Sequence, residues 1–115
     1  MPTIKFDHEK LDVYQKAIEF VAWVYQIAIK LKGHNRFARD QRLRASQSIP
    51  QNIAEGNAKR STGDRRRFFD IARGSAMECA SILDILLIGK AITDSELQEA
   101  KKLLSRIVSM LTKIA

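Results

Sequence analysis

The chain holds one cysteine in 115 residues, Cys79, so no internal disulfide can form and a reducing compartment, the cytoplasm, is expected. Only two prolines and five glycines occur, and one proline is residue 2, which leaves little material for long irregular loops. No apolar run approaches membrane-spanning length, and the opening MPTIKFDHEK lacks the apolar centre of a signal peptide. A membrane partner is therefore not expected.

The parts of an active site are also scarce. His8-Glu9 would need a second histidine at position 12 to make the zinc-protease helix motif, and that residue is Asp12. Di-iron bundles need Glu-x-x-His pairs, and neither His8 nor His34 has a glutamate three residues before it. The glycines are scattered and form no phosphate-cradling loop, while Cys79 falls on an apolar helix seam where packing explains it. No catalytic residue, metal or cofactor is expected.

What the chain does have is charge, unevenly placed. The net charge is +7 and the isoelectric point near 9.9. Between Arg36 and Arg73 stand ten Lys/Arg against four acids, a surplus of six, so the rest of the chain nets only +1. Nine of the ten arginines lie in that segment. Arginine presents a planar, two-pronged donor that matches phosphate or carboxylate, so a polyanion-binding face is the functional reading. Arg36, Arg39, Lys59, Arg60, Arg65, Arg66 and Arg73 fall in turns or on polar faces and are the candidate nucleic-acid contacts, whereas Arg42 lies nearer the apolar side and reads as structural. Few exposed aromatics accompany these residues, so stacking of bases is not advertised.

Apolar period and punctuation predict an all-α, up-down-up-down four-helix bundle in one domain, with helices at about 10–31, 36–56, 63–88 and 94–114. The first helix carries two apolar stripes: Leu11, Tyr14, Ile18, Val21, Tyr25, Ala28, and Val13, Ala17, Phe20, Val24, Ile27, Leu31. One stripe suffices for a bundle, so the doubled width points to burial on two sides. Trp23 stands in the opposite, polar row, and Met77 on a polar face of the third helix; with Phe20 and Val24 they are the candidate interface residues. Gly33-His34-Asn35 reads as the first turn with Asn35 as N-cap, and Gly56-Asn57 as a left-handed stop to the second helix. Ser61 or Thr62 can cap the third helix, whose seam reads Phe68, Ala72, Ser75, Cys79, Ile82, Leu86, widened by Phe69, Ala76, Leu83 and Leu87, and Gly89 ends it. Thr93-Asp94-Ser95-Glu96 has capping-box spacing and starts the fourth.

Pro50 stands inside the second helix, where it removes a hydrogen-bond donor and predicts a kink rather than a break, because the remainder to Gly56 is too short to hold alone. Around it Arg44, Ser48, Asn52 and Glu55 share a side, and Ser75 and Glu78 face them from the third helix. A partly buried structural polar network of these six residues is expected.

The run Arg44-Ala45, Ser48-Ile49-Pro50, Asn52-Ile53-Ala54-Glu55-Gly56, then Arg60, Phe68, Ile71-Ala72, Gly74-Ser75 and Glu78, resembles the small four-helix-bundle proteins often encoded in intervening sequences of bacterial 23S ribosomal RNA genes. The likeness covers about Phe6 to Leu87. That family is similar in fold to accessory variability proteins of retroelements, which form five-fold rings with basic surfaces and bind nucleic acid and a reverse transcriptase. The resemblance thus implies a homo-oligomer, a pentameric ring, with RNA or DNA as partner. Two functions follow as expectations: a non-catalytic basic bundle binding nucleic-acid backbone, or an oligomeric scaffold whose basic face docks an acidic protein.

Overall fold

A computed structural model of the protein describes residues 5–30 and 36–114, with the side chains of 30, 36–39 and 41 outside the described set. Four helices make up nearly all of it: α1 (Asp12–Lys30), α2 (Arg36–Ala58), α3 (Thr62–Ile88) and α4 (Asp94–Ile114), preceded by a 3₁₀ turn at Asp7–Lys10. Among the described residues there is no strand. The predicted turn at Gly33-His34-Asn35, the Asn35 cap and Leu31 lie outside the described residues.

α1 packs on α2, α2 on α3, α3 on α4, and α4 back on α1, so the four surround one core. Asp84 Oδ1 meets Lys101 Nζ at 2.6 Å, and Arg73 Nε donates to Thr112 Oγ1 at 3.0 Å. An advance along α3 thus matches a retreat along α4. Between α2 and α3 the same reversal joins Ser48 to Ser75 and Asn57 to Arg65.

The core takes one apolar stripe from each helix: Phe20 and Ile27 from α1, Ile49 and Ile53 from α2, Phe69 and Leu83 from α3, and Leu97, Leu104, Ile107 and Leu111 from α4. On α1 the stripe of Val13, Ala17 and Phe20 is inside, whereas Ile18 and Tyr25 of the other stripe are exposed. Trp23 corrects the expectation drawn from the polar row. It is buried, its ring stacked on Phe20 with centroids 6.1 Å apart and planes within 13°. A position about 60° round the helix from Phe20 lies near enough to the core for so large a side chain to reach inward. Phe20 and Trp23 therefore spend their apolar area inside one chain and are not surface anchors; Val24 packs half-buried beside them, and Met77 is exposed.

One helix end departs from expectation, and two follow it. α2 does not stop at Gly56 but continues helically to Ala58, so Gly56 is not a left-handed cap. α3 begins at Thr62, with the Ser61 hydroxyl accepting the Asp64 N–H at 3.1 Å. At its far end Gly89 ends the helix as expected (φ −77°), and the left-handed residue is the next one, Lys90 (φ 60°). The N–H of Lys90 reaches the Leu87 carbonyl at 3.0 Å and that of Ala91 the Leu86 carbonyl at 2.9 Å, the paired bonds of a Schellman ending. α4 starts as its spacing predicts, with Thr93 N–H on Glu96 Oε1 at 2.8 Å and Glu96 N–H on Thr93 Oγ1 at 3.1 Å.

On α3 the predicted seam is buried at Ala72, Ser75 and Cys79, but its widening row of Phe69, Ala76 and Leu83 lies deeper than Phe68, Ile82 and Leu86. Phe69, Ala72, Ala76, Cys79 and Leu83 are buried, while Phe68 is half-buried at the margin. α2 is unbroken through Pro50, which is itself buried. Ser46, one turn before it, is fully buried, and its hydroxyl donates to the Leu43 carbonyl at 2.8 Å, so that buried side-chain oxygen is paired.

Candidate nucleic-acid interface

The cationic residues that the structure brings together lie where α2 turns into α3. The turn consists of Lys59, Arg60 and Ser61, and Arg65, Arg66 and Arg67 follow in the opening turns of α3. Three residues suffice for the reversal because Ser61 caps α3 at once and α2 runs to Ala58. Arg60, Arg66 and Arg67 are exposed. Lys59 is half-buried, pairs with Glu55 Oε2 at 3.7 Å, and sets its ammonium 5.1 Å from the centre of the Phe68 ring. The Arg67 guanidinium lies 4.9 Å from the same ring. Cations favour this position because an aromatic face carries negative charge density.

Arg65 has a different task from its neighbours. Its Nη1 donates to the Asn57 carbonyl at 3.0 Å and to the Lys59 carbonyl at 3.4 Å, and its guanidinium lies 5.5 Å from the Phe69 ring centre. The last carbonyls of a helix have no intrahelical donors, so Arg65 supplies them from the next helix. It serves the α2 terminus rather than the solvent face. Arg73, two turns beyond Arg66, is exposed but engaged with Thr112. The side chains of Arg36 and Arg39, also expected here, lie outside the described residues. Arg42 is half-buried, and its desolvation pulls the guanidinium pKa below the ordinary value.

The expected polar network is present in half its members. The Ser48 and Ser75 hydroxyls share a hydrogen bond of 2.8 Å, and Asn52 Nδ2 donates to the Ser48 carbonyl at 2.8 Å and its hydroxyl at 3.0 Å. Arg44, Glu55 and Glu78 are exposed and stand apart from it. They sit farther round their helices, where water solvates a charge at no desolvation cost. Ser48 and Ser75 tie α2 to α3 about three helical turns from the basic turn, and Asn52 braces Ser48 from within α2.

Sequence reasoning missed one feature of this region. Phe68, assigned to the seam, is a ring flanked by two cations. Apolar side chains also remain exposed on two helices that do not pack on each other, Ile18, Tyr25 and Ile29 on α1 and Ile71, Met77, Ile85 and Ile88 on α3, of which the second α1 stripe and Met77 are anticipated by the sequence. Ile71 and Ile85, with Glu78 midway, lie along one line of α3 because seven residues are close to two turns. Among the described residues no group of three or more His, Cys, Asp or Glu could hold a metal, and no helix is long and apolar enough to cross a membrane.

No protein of curated function matches the chain. A solved structure similar to it is that of a protein of unknown function from the S23 ribosomal protein family of Bacteroides thetaiotaomicron VPI-5482. The two share 25% identity and superpose with a TM-score of 0.83, over 89% of this chain and 96% of the other. The model of the 23S rRNA-intervening sequence protein family matches residues 9–113. With four packed helices, the Ser48–Gly56 block and nearly the whole length accounted for, the chain belongs to the 23S rRNA-intervening sequence protein family.

Proposed function

We propose that the protein is a non-catalytic, self-associating bundle of the cytoplasm that binds the backbone of RNA or DNA with little sequence specificity. The observation that carries this reading is the cluster at the α2–α3 turn. Lys59, Arg60, Arg66 and Arg67 fall within nine consecutive residues, and among the described residues only Lys59 of the four makes an ion pair. Four such cations can each neutralise a phosphate and release its counterions. Phosphate contacts carry no sequence information, hence the low specificity. The exposed isoleucines of α1 and α3 support self-association, since water-facing apolar area of this kind is what subunit contacts cover. The resemblance makes a pentameric ring the expected form.

The test is filter binding of duplex DNA and of RNA at two salt concentrations. The names of the family and of the Bacteroides neighbour make ribosomal RNA fragments the first RNA to try. Binding should weaken steeply with salt, with a log–log slope of about −3.6 for four phosphate contacts on duplex DNA. Arg60→Ala and Arg66→Ala should each flatten that slope and leave the melting temperature alone, whereas Arg65→Ala should lower the melting temperature first. Absence of binding at low salt ends the nucleic-acid reading and favours an acidic protein as partner. Native mass spectrometry reads the assembly directly; a monomer at micromolar concentration removes self-association.

A further inference from the structure

We propose that Phe68 is a stacking platform for an unpaired base, so that this surface prefers single-stranded nucleic acid to duplex. The inference rests on the backbone-binding reading above and narrows its ligand.

Two adjacent phenylalanines open α3, and only one of them serves the core. Phe69 is 1% exposed and buried among the four helices, whereas Phe68 is half-buried and is not among the side chains packed on the core. About 100° of helical rotation separates neighbours, so burying one ring turns the other outward. The outward ring does not stand bare: Lys59 Nζ and Arg67 Cζ lie 5.1 Å and 4.9 Å from its centre. Both cations end long side chains, Arg67 is exposed and the Lys59 side chain is 39% exposed, so each can leave the ring at little cost. Free of ligand, the ring holds the cations by their charge; with a nucleotide present, phosphates take the cations and a base takes the vacated ring.

This division of labour needs an aromatic face flanked by cations, which is how proteins hold single strands without reading sequence. Every base has a π face, so the contact adds affinity and no base preference. Bases within a duplex are stacked on one another and cannot reach a side chain at the protein surface. RNA and DNA single strands offer the same face and the same phosphates, and nothing in the contact distinguishes them.

Fluorescence anisotropy at low salt with a short labelled single strand, as RNA and as DNA, and with the matching DNA duplex tests the proposal. A parallel titration uses a strand carrying 2-aminopurine, whose emission falls on stacking. The wild type should bind either single strand more tightly than the duplex and quench 2-aminopurine. Phe68→Leu keeps the apolar volume and removes the ring; it should weaken single-strand binding by about tenfold while changing duplex binding less than about twofold. Phe68→Trp should restore the single-strand affinity. Equal binding of strand and duplex, or unquenched 2-aminopurine at saturation of the wild type, overturns the platform and leaves backbone binding intact. Failure of all three probes to bind overturns both. Because the quenching measurement needs no variant, the proposal stays testable even if Phe68→Leu does not fold.

Discussion

Gly56 and Phe69 meet so closely that no side chain fits between them. A Cβ on Gly56 would stand 2.8 Å from Cε1 and 2.9 Å from Cδ1 of the Phe69 ring, and 3.2 Å from the Arg65 carbonyl oxygen. Gly56 is helical and buried, so it is there for space and not for an unusual backbone angle. This close approach sets α2 against α3 just before the basic turn, and Arg65 can then reach the Asn57 and Lys59 carbonyls.

Gly56→Ala should therefore destabilise the protein although alanine is the better helix former. Propensity favours the change by about 1 kcal/mol, but overpacking against a core ring and a backbone carbonyl costs about 1–3 kcal/mol. The ring is 1% exposed and cannot swing into solvent. Gly74 is the internal control: a Cβ there meets nothing within 4 Å. Thermal melting of both variants should show a lower midpoint for Gly56→Ala and a higher one for Gly74→Ala; a rise in both would mean that the helices part easily.

The boundary between what was legible in the residues and what was not runs along locality. The Thr93–Glu96 box is read from four consecutive residues because all its bonds are made within them. The α4 seam is legible for a related reason: Leu97, Leu104 and Leu111 are large, evenly spaced and opposed by charge. Phe68 and Phe69 cannot be ranked this way, since adjacent rings fit either seam and only the approach of α2 decides between them. Gly56 looked like a stop because glycine commonly ends helices, while the competing demand, room for Phe69, comes from a residue thirteen positions on. In the basic cluster, composition located the charges but not their tasks. Arg65 is structural because its acceptors are carbonyls beyond Gly56, which exist as a helix end only where α2 continues to Ala58.

Ser48 is the hub of the α2–α3 polar contact, and the order of its variants follows from who is left unpaired. Ser48→Ala strands the Ser75 hydroxyl, 9% exposed, and removes one of the two acceptors of Asn52. A loss of about 1–2 kcal/mol is expected. Removing Ser75 as well takes away the stranded group, so the double variant should cost less than the two single changes added together. Urea unfolding of the four proteins gives the coupling; strict additivity would show that the 2.8 Å contact carries no energy.

Lys90 occupies a left-handed position that glycine fills at less cost. Its φ of 60° brings Cβ close to its own carbonyl, a strain of about 1 kcal/mol for a residue with a side chain. Both bonds of the Schellman ending depend on that angle, so the chain cannot relax out of it without losing them. Lys90→Gly should raise stability by about 0.5–1 kcal/mol, part of the relief being offset by the greater freedom of glycine in the unfolded chain. Lys90→Ala removes the same charge but keeps Cβ, and should give no comparable gain. A matching rise in both melting midpoints would assign the effect to charge.

Cys79 gives the fold an alkaline weakness whose direction is fixed by its surroundings. Burial, and secondarily the Glu78 carboxylate, pushes the thiol up from an ordinary 9.0 to about 12. The unfolded chain gives up this proton near pH 9, while the folded chain holds it until about pH 12. Between those values the folded state binds more protons, so stability must fall as pH rises. Below pH 9 both states are protonated and the contribution is complete. The measurement is a difference, which isolates the thiol's own contribution: urea unfolding of the wild type and of Cys79→Ala at pH 8, 9, 10 and 11 (chosen to span the lower part of the window of about 9 to 12). The wild-type advantage should be constant to about pH 9 and shrink above it. An advantage that stays constant up to pH 11 would mean that the thiol ionises in the folded core as readily as in water, and iodoacetamide should then label the native protein rapidly at pH 9, where the buried thiol is expected to react only on unfolding.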